Sequence, residues 1–284
     1  MNKFSKLLSL LVVMTSINAC YIKGTILVEE SPKPTVSIQS TVEPSHYETP
    51  TPSPSISPTP VPAPSQTTLG AAGYTVRFNG VNTYIKVPND DKLNFKEHFT
   101  IQIWVKPENL AKNKYFPILS KGNEFSRYAL SLRTDKNLLV KLNHTAVNMK
   151  DNEYQDDVWS HITLTWNGSE LTLYRNGIFL SKNTYDKGLY ISKEEDLIIG
   201  ADFSEKTFFE GSIDDIRLWN RTLEQSEIRS NINLALNGDE EGLVAYWKMD
   251  EGKEDTLFDS STSKLDAKLV NTQNWKYSSA PLYN

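Results

Sequence analysis

Apolar side chains recur at every second position along much of the chain. The runs are Tyr74, Val76 and Phe78; Phe99, Ile101, Ile103 and Val105; Tyr128, Leu130 and Leu132; Ile162, Leu164 and Trp166; and Leu171 with Leu173. Successive side chains of a strand point to opposite faces, so each run predicts a β-strand with one face turned to a core. Asn167 with Gly168, and Asn176 with Gly177, fall between such runs. Both residue types tolerate positive φ, which marks the pairs as tight hairpin turns. On the order of a dozen short strands with turn signals at this spacing predict two antiparallel sheets packed face to face. No self-similarity at a fixed period argues for a propeller or solenoid.

One helix interrupts the strands. Thr222 reads as its N-cap with Gln225 three residues on, and Leu223, Ile228, Ile232 and Leu234 fit a short amphipathic stretch ending near Asn237 and Gly238. A strand over 243–249 follows, expected at or near the centre of a sheet, and residues 265–269 should add a last short strand with Trp275 packing at its end. Residues 210–250 organise the rest. Alternation there places Asp214, Ile216 and Leu218 on one face and Ile213, Asp215, Arg217 and Trp219 on the other, so at least one carboxylate is carried inward. A buried carboxylate needs a partner, and calcium, an arginine or a set of backbone N–H groups could serve.

The run GSIDDIRLWNRTL over residues 211–223, followed by Glu227 and Ile228, resembles the signature strand and helix of laminin G-like domains of the concanavalin A-like, or pentraxin-like, superfamily. Upstream, FNGVNTYI (78–85), FTIQIWVKP (99–107) and WSHITLTW (159–166) resemble the opening and middle strands of that family. Downstream, Tyr246 and Trp247, Asp250 to Gly252 and Asp259 to Ser261 resemble its closing block. The resemblance covers residues 73–275 and implies an all-β, two-sheet antiparallel β-sandwich of the jelly-roll, concanavalin A-like kind. It also implies that the loop after Phe78 lies beside the Ile-Asp-Asp strand, where related domains often hold a structural cation. Calcium is therefore the expected cofactor, with Asn79, Asn82, Asp214 and Asp215 as its oxygen donors. Arg77, Arg217 or turn amides are the alternative partners for Asp214.

The chain of 284 residues is 38% hydrophobic, enough for a sizeable core once non-globular ends are set aside. Its net charge of −5 leaves no basic footprint for nucleic acid. A single cysteine, Cys20, removes disulfides and cysteine-based zinc sites from consideration. Residues 1–19 read as an export signal: Lys3 and Lys6, an apolar run from Leu7 to Met14, then small or polar residues. The tetrad INAC over 17–20 resembles a bacterial lipoprotein box, which implies cleavage before Cys20 and lipidation of its sulfur. Residues 20–68 form the next segment. Ten of the fourteen prolines lie between 31 and 66, interleaved with serine and threonine. Such a segment lacks the apolar surface to fold and favours polyproline II, a disordered stalk reaching on the order of 100 Å. Residues 69–284 remain for the laminin G-like domain.

Enzyme signatures are wanting. Glucanases of the same fold carry a Glu-x-Asp-x-(x)-Glu strand that projects nucleophile and acid together, and no such run occurs here. The acidic triplets at 194–196 and 239–241 fall in predicted turns, and His46, His98, His144 and His161 are scattered without a metal or nucleophile motif. Most aromatics belong to core phases; Trp104 and Trp219 fall out of phase, facing either solvent or a second layer. Tyr115, Tyr154, Tyr185 and Phe208, assigned to loops, are the expected ligand-binding aromatics, since sandwiches bind along loop rims. The reading is a non-enzymatic, exported, membrane-anchored surface lipoprotein whose sandwich binds an extracellular glycan or protein. An envelope accessory protein that contacts a partner, or a glycan-active enzyme, is the alternative.

Overall fold

Every alternating run named above becomes a strand in the computed structural model, which describes residues 73–111, 115–123, 127–151, 153–190, 194–271 and 275–282. Cys20, the export signal over 1–19 and the stalk over 20–68 lie outside the described residues. Strands are numbered in chain order. The first sheet runs β10 (Ile178–Thr184), β9 (Glu170–Arg175), β8 (Ser160–Trp166), β3 (Phe99–Pro107), β12 (Glu210–Trp219), β1 (Tyr74–Asn79) and β16 (Trp275–Tyr277), and β13 (Leu243–Trp247) also pairs with β12. The second runs β14 (Thr256–Leu257), β15 (Ala267–Val270), β2 (Tyr84–Val87), β11 (Leu197–Ile199), β4 (Tyr115–Gly122), β5 (Arg127–Arg133), β6 (Leu138–Leu142) and β7 (Thr145–Met149). All named pairings are antiparallel. The β-sandwich is as the residue pattern predicts.

Hairpin chemistry and core patterning together set the register. At the β9–β10 turn, Asn176 and Gly177 have φ of 49° and 73°, the pair of left-handed positions that a two-residue type I′ turn requires. Ile101, Ile103 and Val105 of β3, Ile162, Leu164 and Trp166 of β8, and Ile213, Ile216 and Leu218 of β12 share one hydrophobic core with the second sheet. Its large aromatics satisfy their polar ends internally. Trp166 Nε1 donates to Tyr185 O, Trp247 Nε1 to Leu265 O and Tyr128 Oη to Leu93 O. Each such burial contributes on the order of 2–3 kcal/mol.

The helix α1 (Gln225–Asn231) lies where expected but is capped differently. Glu224 is the N-cap, with its N–H donating to the Glu227 carboxylate at 2.9 Å, whereas Thr222 donates its hydroxyl to Trp166 O. The helix also stops at Asn231, which leaves Leu234 49% exposed instead of on its apolar face. Gln225 and Arg229 both donate to Gly177 O and so tie α1 to the β9–β10 turn. The result is a second layer: Trp219, Leu223, Ile228, Leu243 and Tyr246 form a satellite core on the outer face of the first sheet. A smaller cluster of Trp104, Ile232 and Ala280, with Trp159 and Leu282 packed against it, adjoins the helix end.

Candidate functional site

The outer face of the first sheet carries the chemistry that the sequence singles out, with a change of phase. Asp214 pairs with Trp104 and Arg217 with Gln102, so β12 advances three residues against two on β3. Asp215 occupies the extra place, with φ of 46°. This is a β-bulge, and it resets the alternation. Ile213 therefore joins Ile216 and Leu218 on the core side, and Asp214 joins Arg217 on the outer side, correcting the uninterrupted alternation predicted for residues 213–219.

That acidic pair is sealed and internally answered. Arg217 Nε lies 2.6 Å from Asp215 Oδ1, and Tyr246 Oη donates to Asp215 Oδ2 at 2.9 Å. The remaining guanidinium nitrogens donate to Asn231 O (2.8 Å) and Leu234 O (2.6 Å). Carbonyls at a helix end lack intrahelical partners, and here an arginine supplies one with charge-assisted bonds. Asp214 accepts from Asp215 N–H and from Ser278 Oγ in the C-terminal segment. Burial pushes the Asp214 carboxyl well above its ordinary range, and raises Asp215 against the opposing pull of Arg217. Of the partners left open by the sequence, an arginine serves Asp215, and a backbone amide with a hydroxyl serves Asp214.

The four expected calcium donors do not assemble. Asn79 lies opposite Glu210 across the β1–β12 ladder, four residues before Asp214 and so about 13 Å along the strand. Its Oδ1 accepts the N–H groups of Val81, Asn82 and Thr83, and its Nδ2 donates to Asn82 Oδ1. Asn79 and Asn82 thus close their own turn, while Asp214 and Asp215 are held in the network above. Calcium needs 6–8 oxygens converging on one point. Among the described residues no group of three or more His, Asp, Glu or Cys side chains is placed to hold a metal. The donor set does not fit the ion, and the proposed constellation is corrected on grounds of register.

The predicted ligand aromatics occupy separate environments. Tyr154 is fully buried, with its ring 5.7 Å from the Arg175 guanidinium, and burial drives its hydroxyl pKa well up. Tyr185 is 3% exposed and its hydroxyl accepts from Asn143 Nδ2. Both are core residues, which corrects their assignment to a binding rim. Tyr115 opens β4 and lies under the Arg133 guanidinium at 5.8 Å. Phe208 is partly buried against Tyr84 at 6.2 Å. These two retain some exposure but share no site with the others. Trp104 and Trp219 face the second layer, at 3% and 1% exposure.

Trp159, part of the WSHITLTW motif, is an aromatic that stands at an open site. It precedes β8 and is half-buried. Two depressions of ≈ 340 and ≈ 270 Å³ meet at it and at Asn176. The first is lined also by Glu153, Gln155 and Arg175, the second by Trp104, Ile232 and Asn233. The indole is fixed: its Nε1 donates to Ser279 Oγ at 3.0 Å, and Lys106 Nζ stands 5.8 Å from the ring centroid. Asn176 is fixed as well, exchanging bonds with His161 through its N–H and Oδ1. An aromatic ring bounded by amides and a rigid turn can stack a flat apolar surface while hydrogen-bonding its polar edge. The signal in the sequence is phase: Trp159 continues the outer-face series His161, Thr163, Thr165.

Comparison with known proteins agrees with this architecture. The family model described as the concanavalin A-like lectin/glucanases superfamily matches residues 79–229. Pentraxin-related protein PTX3 of Mus musculus is 28% identical over 153 residues, which cover 48% of this chain and 39% of that protein. The chain thus spans well under half the length of this curated relative. A candidate carbohydrate binding protein of Bacteroides ovatus ATCC 8483 superposes with a TM-score of 0.61 at 18% identity, over 74% of this chain and 61% of that one. The Ruminococcus gnavus IT-sialidase CBM40 bound to alpha2,3 sialyllactose is similar at a TM-score of 0.46 and 15% identity, over 57% of this chain and 98% of that one. At these identities the likeness is one of fold.

Proposed function

The chain belongs to the concanavalin A-like lectin/glucanase superfamily, and from that premise we propose that its sandwich is a non-catalytic glycan-binding domain. The observation that carries the reading is Trp159, a positioned indole shared by two adjoining depressions with amide groups on their walls. Sugar rings present C–H faces and hydroxyl edges, which an aromatic plane and carboxamides answer. Asp214 and Asp215, whose pKa burial raises, are 1% and 2% exposed and held in the sealed network, so neither is presented to a glycosidic bond. Export and lipidation at Cys20, with residues 20–68 as a stalk, belong to the same proposal and rest on the sequence alone. They would present the domain to glycans or proteins outside the cell.

Two measurements test this. Calorimetric titration against a glycan panel should give saturable binding that Trp159→Ala weakens by roughly thirtyfold, the loss typical of a central aromatic. Binding unchanged in that variant would remove the trough from the proposal. Metabolic labelling with a radioactive fatty acid should mark the wild type and not Cys20→Ala, and equal labelling would remove the anchor.

A further inference from the structure

Resting on the assignment of the trough to glycans, we infer that its ligand is an uncharged oligosaccharide of at least two sugar units. The argument begins with shape. Because the two depressions share Trp159 and Asn176 in their walls, a ligand engaging both must run along the indole. A single sugar ring engages one depression only.

Charge then narrows the class. The depression lined by Trp104, Ile232, Asn233 and Pro281 has no ionisable side chain in its wall. The other contains Arg175, the residue type suited to gripping a carboxylate or sulfate through two parallel N–H bonds. That guanidinium already faces two carboxylates. Arg175 Nη1 lies 3.0 Å from Asp151 Oδ1, and Nη2 bonds the Glu153 carboxylate. Asp151 is wholly buried, so its pairing cannot be given up to an incoming anion without stranding a desolvated charge. Lys106, the cation nearest the indole on β3, lies over the ring in a cation–π contact. Lys136, Arg175 and Glu153 of that wall, with the Asp151 carboxylate paired to Arg175, sum to zero formal charge. Beside these mutually offset charges the walls offer the Trp159 plane and the side-chain amides of Gln155, Asn176 and Asn233, groups that recognise hydroxyls without selecting charge.

The test presents the protein with neutral oligosaccharides, each matched to a sialylated or sulfated counterpart and to its component monosaccharide, at low and high salt. Neutral di- or trisaccharides should bind at least about tenfold more tightly than the monosaccharides, with little change on adding salt. Charged counterparts should bind no better than the neutral ones. Glu153→Gln, which releases one arm of the Arg175 fork, should raise affinity for the charged members. Tighter binding of the charged counterparts by wild type, weakening with salt, would overturn the inference, as would monosaccharides binding as well as the longer ligands. A Trp159→Ala protein that keeps its affinity sinks the underlying site assignment instead, and the wild-type selectivity is read independently of that result.

Discussion

Three tryptophans point away from the core of the first sheet, and they meet different fates. Trp104 and Trp219 are covered by α1 and the C-terminal segment, with their Nε1 groups donating to Ile232 O and Gln102 Oε1. Trp159 is held at the margin of that cover, its Nε1 donating to Ser279 Oγ, and borders open space. The same contrast holds for charge: Arg217 and Asp215 are paired under the helix, whereas Glu153 in the trough is 68% exposed. An outward-facing aromatic or ion is therefore no mark of a site by itself. What distinguishes structural from ligand-facing groups is whether a second layer closes them off from solvent.

The sharpest way to break that contrast is to remove a sealed group. Arg217→Ala leaves the Asp215 carboxylate buried without its ion and the end of α1 without its donor, and should cost about 3–5 kcal/mol in urea unfolding. A loss near zero would mean that the network is ornamental. Paired tryptophan substitutions come next. Trp219→Ala should cost about 3–5 kcal/mol, while Trp159→Ala should cost about 1 kcal/mol or less, its effect appearing in ligand titration instead. Equal destabilisation by the two would erase the distinction between sealed and open faces.

Titration probes the sealed face more gently. Burial and the nearby Arg217 charge hold His161 well below its ordinary pKa, so the folded state leaves unbound a proton that the unfolded chain takes up below pH 6.5. Stability from this group is thus full above pH 6.5 and falls as pH drops, by at most about 1.4 kcal/mol per pH unit. Asp214 acts with the opposite sign. Its raised pKa means that the folded state binds a proton first, and stability rises as pH falls toward the ordinary aspartate value of 3.8. Thermal melts of His161→Gln should lose the acid-side decline, and those of Asp214→Asn should lose the acid-side gain. Parallel pH profiles in both variants and wild type would show that neither group is sealed. The smallest effect concerns calcium: because the four donors are separated by register, adding calcium or a chelator should leave the melting temperature in place. A clear upward shift with calcium would restore a metal site.

Local pattern was enough to determine the strands β1, β3, β5, β8 and β9, the hairpin turns at Asn167 and Asn176, the presence of a helix after β12, and which face of β3 and β8 meets the core. Those features depend on residues two to four positions apart, where side-chain period and turn chemistry decide the outcome. Tertiary structure alone decided three others. The bulge at Asp215 was illegible because an unbroken strand and a bulged one read alike until β3 supplies the register. The family resemblance set the loop after Phe78 beside the Ile-Asp-Asp strand, yet antiparallel pairing places Glu210, not Asp214, opposite Asn79. Trp159 shared the outward phase of Trp104, and only the reach of α1 and the C-terminal segment, set by contacts more than a hundred residues apart in sequence, left one open and closed the other.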